Sequence, residues 1–225
     1  MRVTAIVLAA GKGERFKSRI PKPLVKIDSQ PLIIKSLNLL SQCPFLHELI
    51  IVVNAQNQAE IASVIRRFSI PRVRSLVRGG KRRQDSVRNA LRMVSHHSDV
   101  VLIHDAARPF IDRKILERVL RQVKKSNAAI AGVPVKATVK RVSADGVVRE
   151  TLPREQLWEI QTPQAFKKDL LLRAYRAHGN DEVTDDAMLV EKLGVKVSVV
   201  MGAYKNIKIT TPEDLIIAQS IAESR

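Results

Sequence analysis

The chain has 225 residues, of which 45% are hydrophobic, and 39 Lys and Arg against 22 Asp and Glu give it a formal net charge of +17. This length can hold one α/β domain with a sizeable core, or two small domains. No apolar run reaches the ~18 residues of a transmembrane helix, and the apolar start before residue 9 is too short for a secretory signal. A single cysteine, Cys43, excludes an internal disulfide and a cysteine-rich metal site, so we expect a cytoplasmic protein.

The positive charge attracts polyanions, so nucleic acids and phosphorylated small molecules are both candidate partners. The basic residues form no tail; they are spread over predicted helix faces and loops. Aromatic residues make up only 4% of the chain and Trp158 is its single tryptophan, which disfavours a base-stacking platform. A solvated basic surface is therefore the favoured interpretation, and a basic nucleic-acid-binding protein is the alternative from another functional class.

Apolar strand-length runs alternate with helix-period segments along most of the chain. Strands are predicted at residues 4–8, 48–53, 72–77, 100–104, 129–134 and 195–201. Helices are predicted at residues 31–40, 58–68, 84–94, 114–125, 167–176, 185–193 and 212–222. Continuous apolar strands separated by such helices indicate a doubly wound, mostly parallel, Rossmann-like α/β sheet, with ligands at the carboxyl ends of its strands.

One stretch, at about residues 135–155, breaks this rhythm. Its short valine-containing runs flank Asp145-Gly146, which is typical of a β-hairpin. Because an isolated two-stranded hairpin is only marginally stable, we expect this arm to pack on something, such as a second subunit. We therefore predict one domain, spanning residues 1–225, with a protruding arm for dimerisation.

The loop after the first predicted strand contains Gly11 and Gly13, whose backbone can approach a phosphate closely. A dinucleotide-binding fingerprint fails here because Phe16 occupies the third glycine position, and the segment at Gly79-Gly80 lacks the spacing of a P-loop. Arg15 follows the glycines, and prolines on both sides of Lys22 restrict its backbone. Two such cations beside amide donors could neutralise the charge that builds up during phosphoryl transfer.

Five ordered motifs cover nearly the whole chain. They are LAAGKGER with the PKP that follows it (residues 8–15 and 21–23), GGKRRQDSV (79–87), IHDAARPF (103–110), WEIQTPQAF (158–166) and NIKITTPEDL (206–215). The first is similar to the opening signature of sugar nucleotidyltransferases, and the others narrow the similarity to cytidylyltransferases. In order and spacing the chain resembles the 2-C-methyl-D-erythritol 4-phosphate cytidylyltransferase family, of the non-mevalonate isoprenoid pathway.

The resemblance implies transfer of a cytidylyl group from CTP to a sugar-alcohol phosphate, with release of pyrophosphate. Arg15 and Lys22 would stabilise the phosphorus centre and the leaving charge. The backbone of Ala9, Ala10, Gly11, Lys12 and Gly13 would hold the triphosphate. Gly80, Arg83 and Ser86 would also bind the nucleotide, with Gly80 admitting the base and Ser86 contacting its edge. For Ser86, a serine in the first turn of a helix is an equal alternative on local sequence.

Asp105 ends an apolar run at the carboxyl end of a predicted central strand, where a Mg²⁺ ligand is expected, because Mg²⁺ prefers oxygen donors and shares them with phosphates. A buried structural pair with Arg108 is the other interpretation of Asp105. The resemblance assigns the acceptor phosphate to Thr138, Arg154, Lys208 and Arg108, with Arg154 and Lys208 also catalytic. It places the arm residues Thr138 and Arg154 in the neighbouring subunit's site, which implies a homodimer with shared active sites.

One position departs from the family pattern, since Lys205 stands where an acidic residue often precedes the Asn-Ile-Lys motif. A second metal-ligand role at that end of the site is therefore not assigned. The nearest rival activity is cytidylyl transfer to ribitol 5-phosphate, with the same fold and chemistry. Ala106-Ala107 and the segment from Leu152 to Trp158 favour methylerythritol phosphate as the acceptor. Transfer of a uridylyl or adenylyl group is a further alternative.

Overall fold

Residues 1–11, 13, 16 and 20–224 are described by the computed structural model of the chain. Each predicted strand is present, and β2, β3 and β10 are additions. In chain order the strands are β1 (Val3–Leu8), β2 (Lys26–Ile27), β3 (Gln30–Pro31), β4 (Leu46–Val53), β5 (Val73–Arg78), β6 (Val100–Asp105), β7 (Ala128–Pro134), β8 (Val139–Val142), β9 (Val148–Leu152), β10 (Trp158–Lys167) and β11 (Ser198–Met201).

The helices match the predicted helical segments to within a few residues at each end. They are α1 (Leu32–Ser41), α2 (Gln58–Arg67), α3 (Arg83–Leu91), α4 (Arg113–Ser126), α5 (Lys168–His178), α6 (Asp186–Glu191) and α7 (Pro212–Glu223). Two short 3₁₀ turns lie at Lys22–Leu24 and Arg154–Gln156. No helix in this described part of the chain combines the length and the apolar character needed to cross a bilayer.

Seven of the strands form one sheet in the order β11-β7-β10-β6-β1-β4-β5. β10 runs antiparallel to both of its neighbours, and the other neighbouring pairs are parallel. β1 lies between β4 and β6, and five of its six residues are buried because helices cover both faces of the sheet. The carboxyl ends of β1, β4 and β6 therefore meet at one edge.

Helices cover the two faces in separate sets, which confirms the doubly wound fold. Leu37 of α1, Ile61 of α2 and Ile115 of α4 share one buried cluster with alternate residues of the central strands. α3, α5 and α6 contribute to the second cluster, on the opposite face. The chain thus changes face after β5, so that α3 packs back across β1 and β4.

β10 is the strand that the sequence pattern failed to predict. Its centre reads Gln161-Thr162-Pro163-Gln164, which is neither apolar nor alternating, and proline normally argues against a central strand. The pairing of β10 with β7 is interrupted between Ile160 and Gln164, so the polar segment is accommodated by an irregularity in the ladder. β11 begins three residues later than predicted, at Ser198.

The predicted arm is present as the antiparallel pair β8–β9, separate from the main sheet. Gly146 closes its turn with a φ of +84°, a conformation that favours glycine, and its amide donates to the carbonyl of Ser143. Val142, Val147 and Val148 are about half exposed on the arm. This exposed apolar surface is what the dimerisation hypothesis requires.

A fully buried histidine, His104, joins β6 to β10 beneath the edge where ligands are expected. The hydroxyl oxygen of Thr162 lies 3.1 Å from its Nδ1 and accepts the amide N–H of Asp105. The other ring nitrogen, Nε2, lies 3.2 Å from the carbonyl oxygen of Arg108. These partners fit a neutral ring that is protonated on Nε2. Burial lowers the pKa of His104 to about 4, against the opposing charge of Asp105.

Acidification should therefore destabilise the fold through His104. Below pH ~6.5 the ring of His104 is protonated in the unfolded state but stays neutral in the folded state. The free energy of unfolding therefore falls as the pH falls toward 4, by at most about 3 kcal/mol. Urea unfolding of the wild type and His104→Gln between pH 7 and 4.5 measures this contribution. We expect a shallower pH dependence in the variant, whatever its stability at pH 7, and equal slopes would contradict a buried neutral His104.

Candidate active site

The loop that leaves β1 is held from beneath by two asparagines that follow β4. The side-chain amide of Asn57 donates to the carbonyl of Ala9 at 2.9 Å, and that of Asn54 donates to Ala10 at 3.1 Å. The two asparagines also bond each other's backbone amides through their side-chain oxygens. Because the Ala9 and Ala10 carbonyls are occupied in this way, the start of the loop has a fixed position. Sequence reasoning missed both asparagines as supports of the loop.

Lys22 lies beside the glycine-rich loop, as the sequence predicted. It opens the 3₁₀ turn Lys22–Leu24, and a Cβ placed on Gly13 would stand 3.4 Å from the Cβ of Lys22. Gly13 itself has a φ of +68°, which a glycine adopts without strain. Lys12 and Arg15, predicted as triphosphate-binding and catalytic residues, lie outside the described residues.

The loop after β5 meets the loop after β1 at Gly79. A Cβ at Gly79 would lie 2.7 Å from the Cβ of Ala10 and 2.8 Å from the hydroxyl of Ser86, so only glycine permits this approach. The Ser86 hydroxyl accepts the amide N–H of Gly80 at 3.1 Å and lies 3.2 Å from the carbonyl of Arg82. Ser86 thus orders this loop and the first turn of α3, which is the structural alternative given above. Its contact with a nucleotide stays a prediction.

Asp105, at the end of β6, is the centre of a charge cluster. Its Oδ2 lies 2.7 Å from the Nζ of Lys208, and its Oδ1 lies 3.7 Å from the Nε of Arg83. Burial alone would raise the pKa of this carboxyl, but Arg83 and Lys208 outweigh burial and hold the pKa well below its usual range. The structure therefore brings together three residues predicted from distant motifs. The partners of Asp105 are these two cations rather than a direct pair with Arg108.

Arg83 has a second acidic partner that sequence reasoning missed. Its Nη1 donates to Oδ2 of Asp186 at 2.6 Å, and the hydroxyl of Tyr175 donates to the other oxygen, Oδ1, at 2.5 Å. Asp186 is fully buried at the start of α6. Burial alone would lower the pKa of Arg83, but the charges of Asp186 and Asp105 outweigh it and raise the pKa further above its ordinary value.

Arg108 is buried against the backbone at the same end of the sheet. Its guanidinium donates to the carbonyls of Asn206, at 2.8 Å, and Ile160, at 3.3 Å. Its Nε has no hydrogen-bond partner among the described residues. These bonds tie β10 to the segment that carries Lys208, so the visible role of Arg108 is structural, and its predicted contact with substrate stays a prediction.

Thr138 and Arg154 both lie exposed at the base of the arm. The guanidinium of Arg154 donates to the carbonyl of Lys136 at 3.1 Å and lies 3.9 Å from the carboxylate of Glu155. Lys205, the position that departs from the family pattern, pairs with Asp112 at 3.6 Å. The ammonium of Lys205 is therefore held by the residue that caps the N-terminus of α4.

The described residues could hold magnesium only together with ligands from the substrate and water. Within the described residues there is no group of three or more His, Cys, Asp or Glu side chains that could hold a metal ion. Asp105 offers one ionised carboxylate at the carboxyl edge of the sheet. This fits Mg²⁺, which is commonly bound by one or two carboxylates together with substrate phosphates and water.

Comparison with known proteins agrees with this arrangement. Residues 3–224 match the IspD family of 2-C-methyl-D-erythritol 4-phosphate cytidylyltransferases. The enzyme of that name from Syntrophus aciditrophicus is 43% identical over 222 residues, covering 97% of this chain and 95% of that protein. The enzyme of that name from Alkaliphilus metalliredigens is 42% identical over 228 residues, covering 100% of this chain and 94% of that one.

Solved structures extend the match to the whole fold. The crystal structure of 4-diphosphocytidyl-2C-methyl-D-erythritol synthase from Anaerococcus prevotii superposes with a TM-score of 0.88 at 31% identity, covering 99% of this chain and 96% of that one. The structure of 2-C-methyl-D-erythritol 4-phosphate cytidylyltransferase from Thermus thermophilus gives a TM-score of 0.80 at 30% identity, covering 99% and 100% of the two chains. With sequence, fold and the ordered motifs in agreement over the full length, the chain belongs to the 2-C-methyl-D-erythritol 4-phosphate cytidylyltransferase family.

Proposed function

We propose that this protein transfers a cytidylyl group from CTP to 2-C-methyl-D-erythritol 4-phosphate, giving 4-diphosphocytidyl-2-C-methyl-D-erythritol and pyrophosphate. The observation that carries the proposal is the Lys208–Asp105–Arg83 cluster at the carboxyl edge of the sheet. It belongs to a chain whose family and curated relatives bear this activity in their names.

The reaction is a displacement at the α-phosphorus of CTP. An oxygen of the acceptor phosphate forms the new P–O bond, and the bond between the α-phosphorus and the oxygen bridging to the β-phosphate breaks, releasing pyrophosphate. A phosphate monoester has a second pKa of about 6, so its attacking oxygen is already ionised near neutral pH and needs no general base. This agrees with a site in which the one buried histidine, His104, has both ring nitrogens occupied.

The protein's contribution is then positioning and charge stabilisation. The backbone of residues 9–13 would receive the triphosphate, with Lys22 and Arg15 stabilising the charge on the reacting phosphorus and on the leaving pyrophosphate. The alanine carbonyls held by Asn54 and Asn57 fix the entrance to this loop. Gly80, Arg83 and Ser86 would bind the cytidine part.

Asp105 would hold magnesium together with the triphosphate, which supplies the remaining oxygen ligands. Magnesium, when bound, offsets phosphate charge and orients the leaving group. In the protein itself, Asp105 fixes the ammonium of Lys208 at 2.7 Å, where Lys208 can bind the acceptor phosphate.

Removal of divalent cations with a chelator should abolish turnover, and added Mg²⁺ should restore it.

The acceptor phosphate would be bound jointly by Lys208, Thr138, Arg154 and Arg108. Thr138 and Arg154 are exposed on the arm, whose valines are also exposed. We infer a homodimer in which the arm of one subunit completes the site of the other. Such an arrangement buries the apolar arm surface and brings an arginine fork, which suits phosphate, to the acceptor.

The experiment that tests the activity measures pyrophosphate release. Methylerythritol phosphate and ribitol 5-phosphate are each combined with CTP, UTP and ATP. Of these combinations, we expect robust pyrophosphate release only from methylerythritol phosphate with CTP. Release with ribitol phosphate but none with methylerythritol phosphate would make the protein a ribitol phosphate cytidylyltransferase. Specific submicromolar nucleic-acid binding at physiological salt with no CTP turnover would overturn the enzyme assignment.

Lys22→Ala should lower kcat by a factor of at least about 100, because the lost interaction stabilises charge that develops in the transition state. Steady-state kinetics with CTP measures the loss, and circular dichroism checks that the variant is folded. Lys125→Ala, which removes an exposed lysine of α4, is the matched control and should behave as wild type. Near-normal turnover by Lys22→Ala would remove Lys22 from the mechanism.

Arg154→Ala should mainly raise KM for the sugar phosphate. Mixing subunits then tests the shared site, since each heterodimer of Arg154→Ala with Lys22→Ala chains would contain one site with both residues intact. Activity above the sum of the two homodimers is the expected result, with heterodimer formation checked by differently tagged chains. Heterodimers without restored activity would argue that each site is built from one chain.

A further inference from the structure

Asp186 is a buried carboxylate that none of the roles above requires. Its side chain is fully buried in the first turn of α6, so its charge would be costly without partners. Both oxygens are occupied, Oδ2 by Nη1 of Arg83 at 2.6 Å and Oδ1 by the hydroxyl of Tyr175 at 2.5 Å. Since Tyr175 lies on α5 and contributes no charge, Arg83 is the cation that compensates Asp186.

Two carboxylates compete for the guanidinium of Arg83. The contact with Asp186 is a hydrogen bond of 2.6 Å, whereas the distance from Nε to Asp105 is 3.7 Å, longer than a hydrogen bond. Arg83 is therefore committed to Asp186 and only approaches Asp105. About 29% of the Arg83 side chain remains exposed, so a ligand at the edge of the sheet can reach it.

The segment around Asp186 also holds the neighbours of Arg83. Nη1 of Arg82 donates to the carbonyl of Asn180 at 3.1 Å, and the side chain of Gln84 donates to the carbonyl of Asp181 at 2.5 Å. Arg82 and Gln84 flank Arg83 at the start of α3, in the motif predicted to bind the nucleotide. Residues 179–186 thus fix both the backbone that carries Arg83 and the direction of its side chain.

We propose that Asp186 is a positioning residue for Arg83 in nucleotide binding, acting with Tyr175. Because Asp186 holds the guanidinium of Arg83, Arg83 does not form a second close ion pair with Asp105. Lys208 therefore remains the close partner of Asp105. Without the charge of Asp186, Arg83 would move toward Asp105, the nearest remaining carboxylate. The CTP contact of Arg83 would then be lost, whereas Lys208 would keep its 2.7 Å pair with the other oxygen of Asp105, Oδ2. The inference rests on the proposed cytidylyl transfer, in which Arg83 contacts CTP.

The test is a double-mutant cycle with Asp186→Asn and Arg83→Gln, read by CTP kinetics and by calorimetric CTP binding. Asp186→Asn should raise KM and Kd for CTP about tenfold or more while leaving KM for the acceptor phosphate within about twofold, because its effect is confined to Arg83. In the Arg83→Gln background the same substitution should change neither constant further. Glu191→Gln, the same change of charge at an exposed position of α6, is the matched control and should match wild type.

Tyr175→Phe is the second variant, because it removes one hydrogen bond to Asp186 and leaves the buried ion pair intact. It should raise KM for CTP several-fold, and only when Arg83 is present. If Asp186→Asn folds and its CTP affinity is unchanged, the proposal is overturned. If Asp186→Asn does not fold, an unchanged CTP affinity in Tyr175→Phe overturns it instead. Additive effects of Asp186→Asn and Arg83→Gln would also overturn it. A wild-type protein that binds CTP without turning it over would instead refute the proposed function, and the calorimetric cycle would still decide the role of Asp186.

Discussion

The buried carboxylate of Asp105 is the constraint on which the site is built. A charge at the end of a buried strand is tolerated only with partners, and here they form an alternating row of Lys208, Asp105, Arg83 and Asp186. The formal charges of the row sum to zero. Because each member needs its neighbours, the row fixes the relative positions of the end of β6, the start of α3, the start of α6 and the segment after β11.

Topology explains why such distant residues can meet. The sheet is parallel around β1, so the loops after β1, β4 and β6 leave from the same edge. The chain changes face after β5 and sends α3 back across the sheet, which brings Gly79 against Ala10. Ligands of doubly wound sheets bind where the connections diverge in this way. The fold therefore brings the glycine-rich loop after β1, the loop after β5 and the carboxylate of Asp105 to one place.

The sequence predicted those parts whose signal is local. Strands buried on both faces appear as apolar runs, and a glycine-rich loop and a proline-bracketed Lys22 are visible as short patterns. β10 was missed because Gln161, Thr162 and Pro163 conceal its strand character. Asp186 was missed for another reason: Asp185-Asp186 at the start of a helix looks like ordinary capping, and Asp185 does cap α6. Only the fold shows that Asp186 faces Arg83, which lies 103 residues earlier in the chain.

Two effects of charge can be distinguished in this protein: the attraction of the triphosphate by the net charge, and its orientation by the neutral row. A net charge of +17 draws a triphosphate toward the surface, but this attraction is screened over about 10 Å at 0.1 M salt and carries no geometry. Within the row, each cation is paired with a carboxylate. The row therefore orients the ligand but adds no net attraction for it. In the proposed reaction, the charge that stabilises the reacting phosphorus would then come from outside the row, from Lys22, the loop after β1 and a phosphate-bound metal. On this reasoning, substitutions at Arg83 and Asp186 should change how CTP is held, and substitutions at Lys22 should change how fast it reacts.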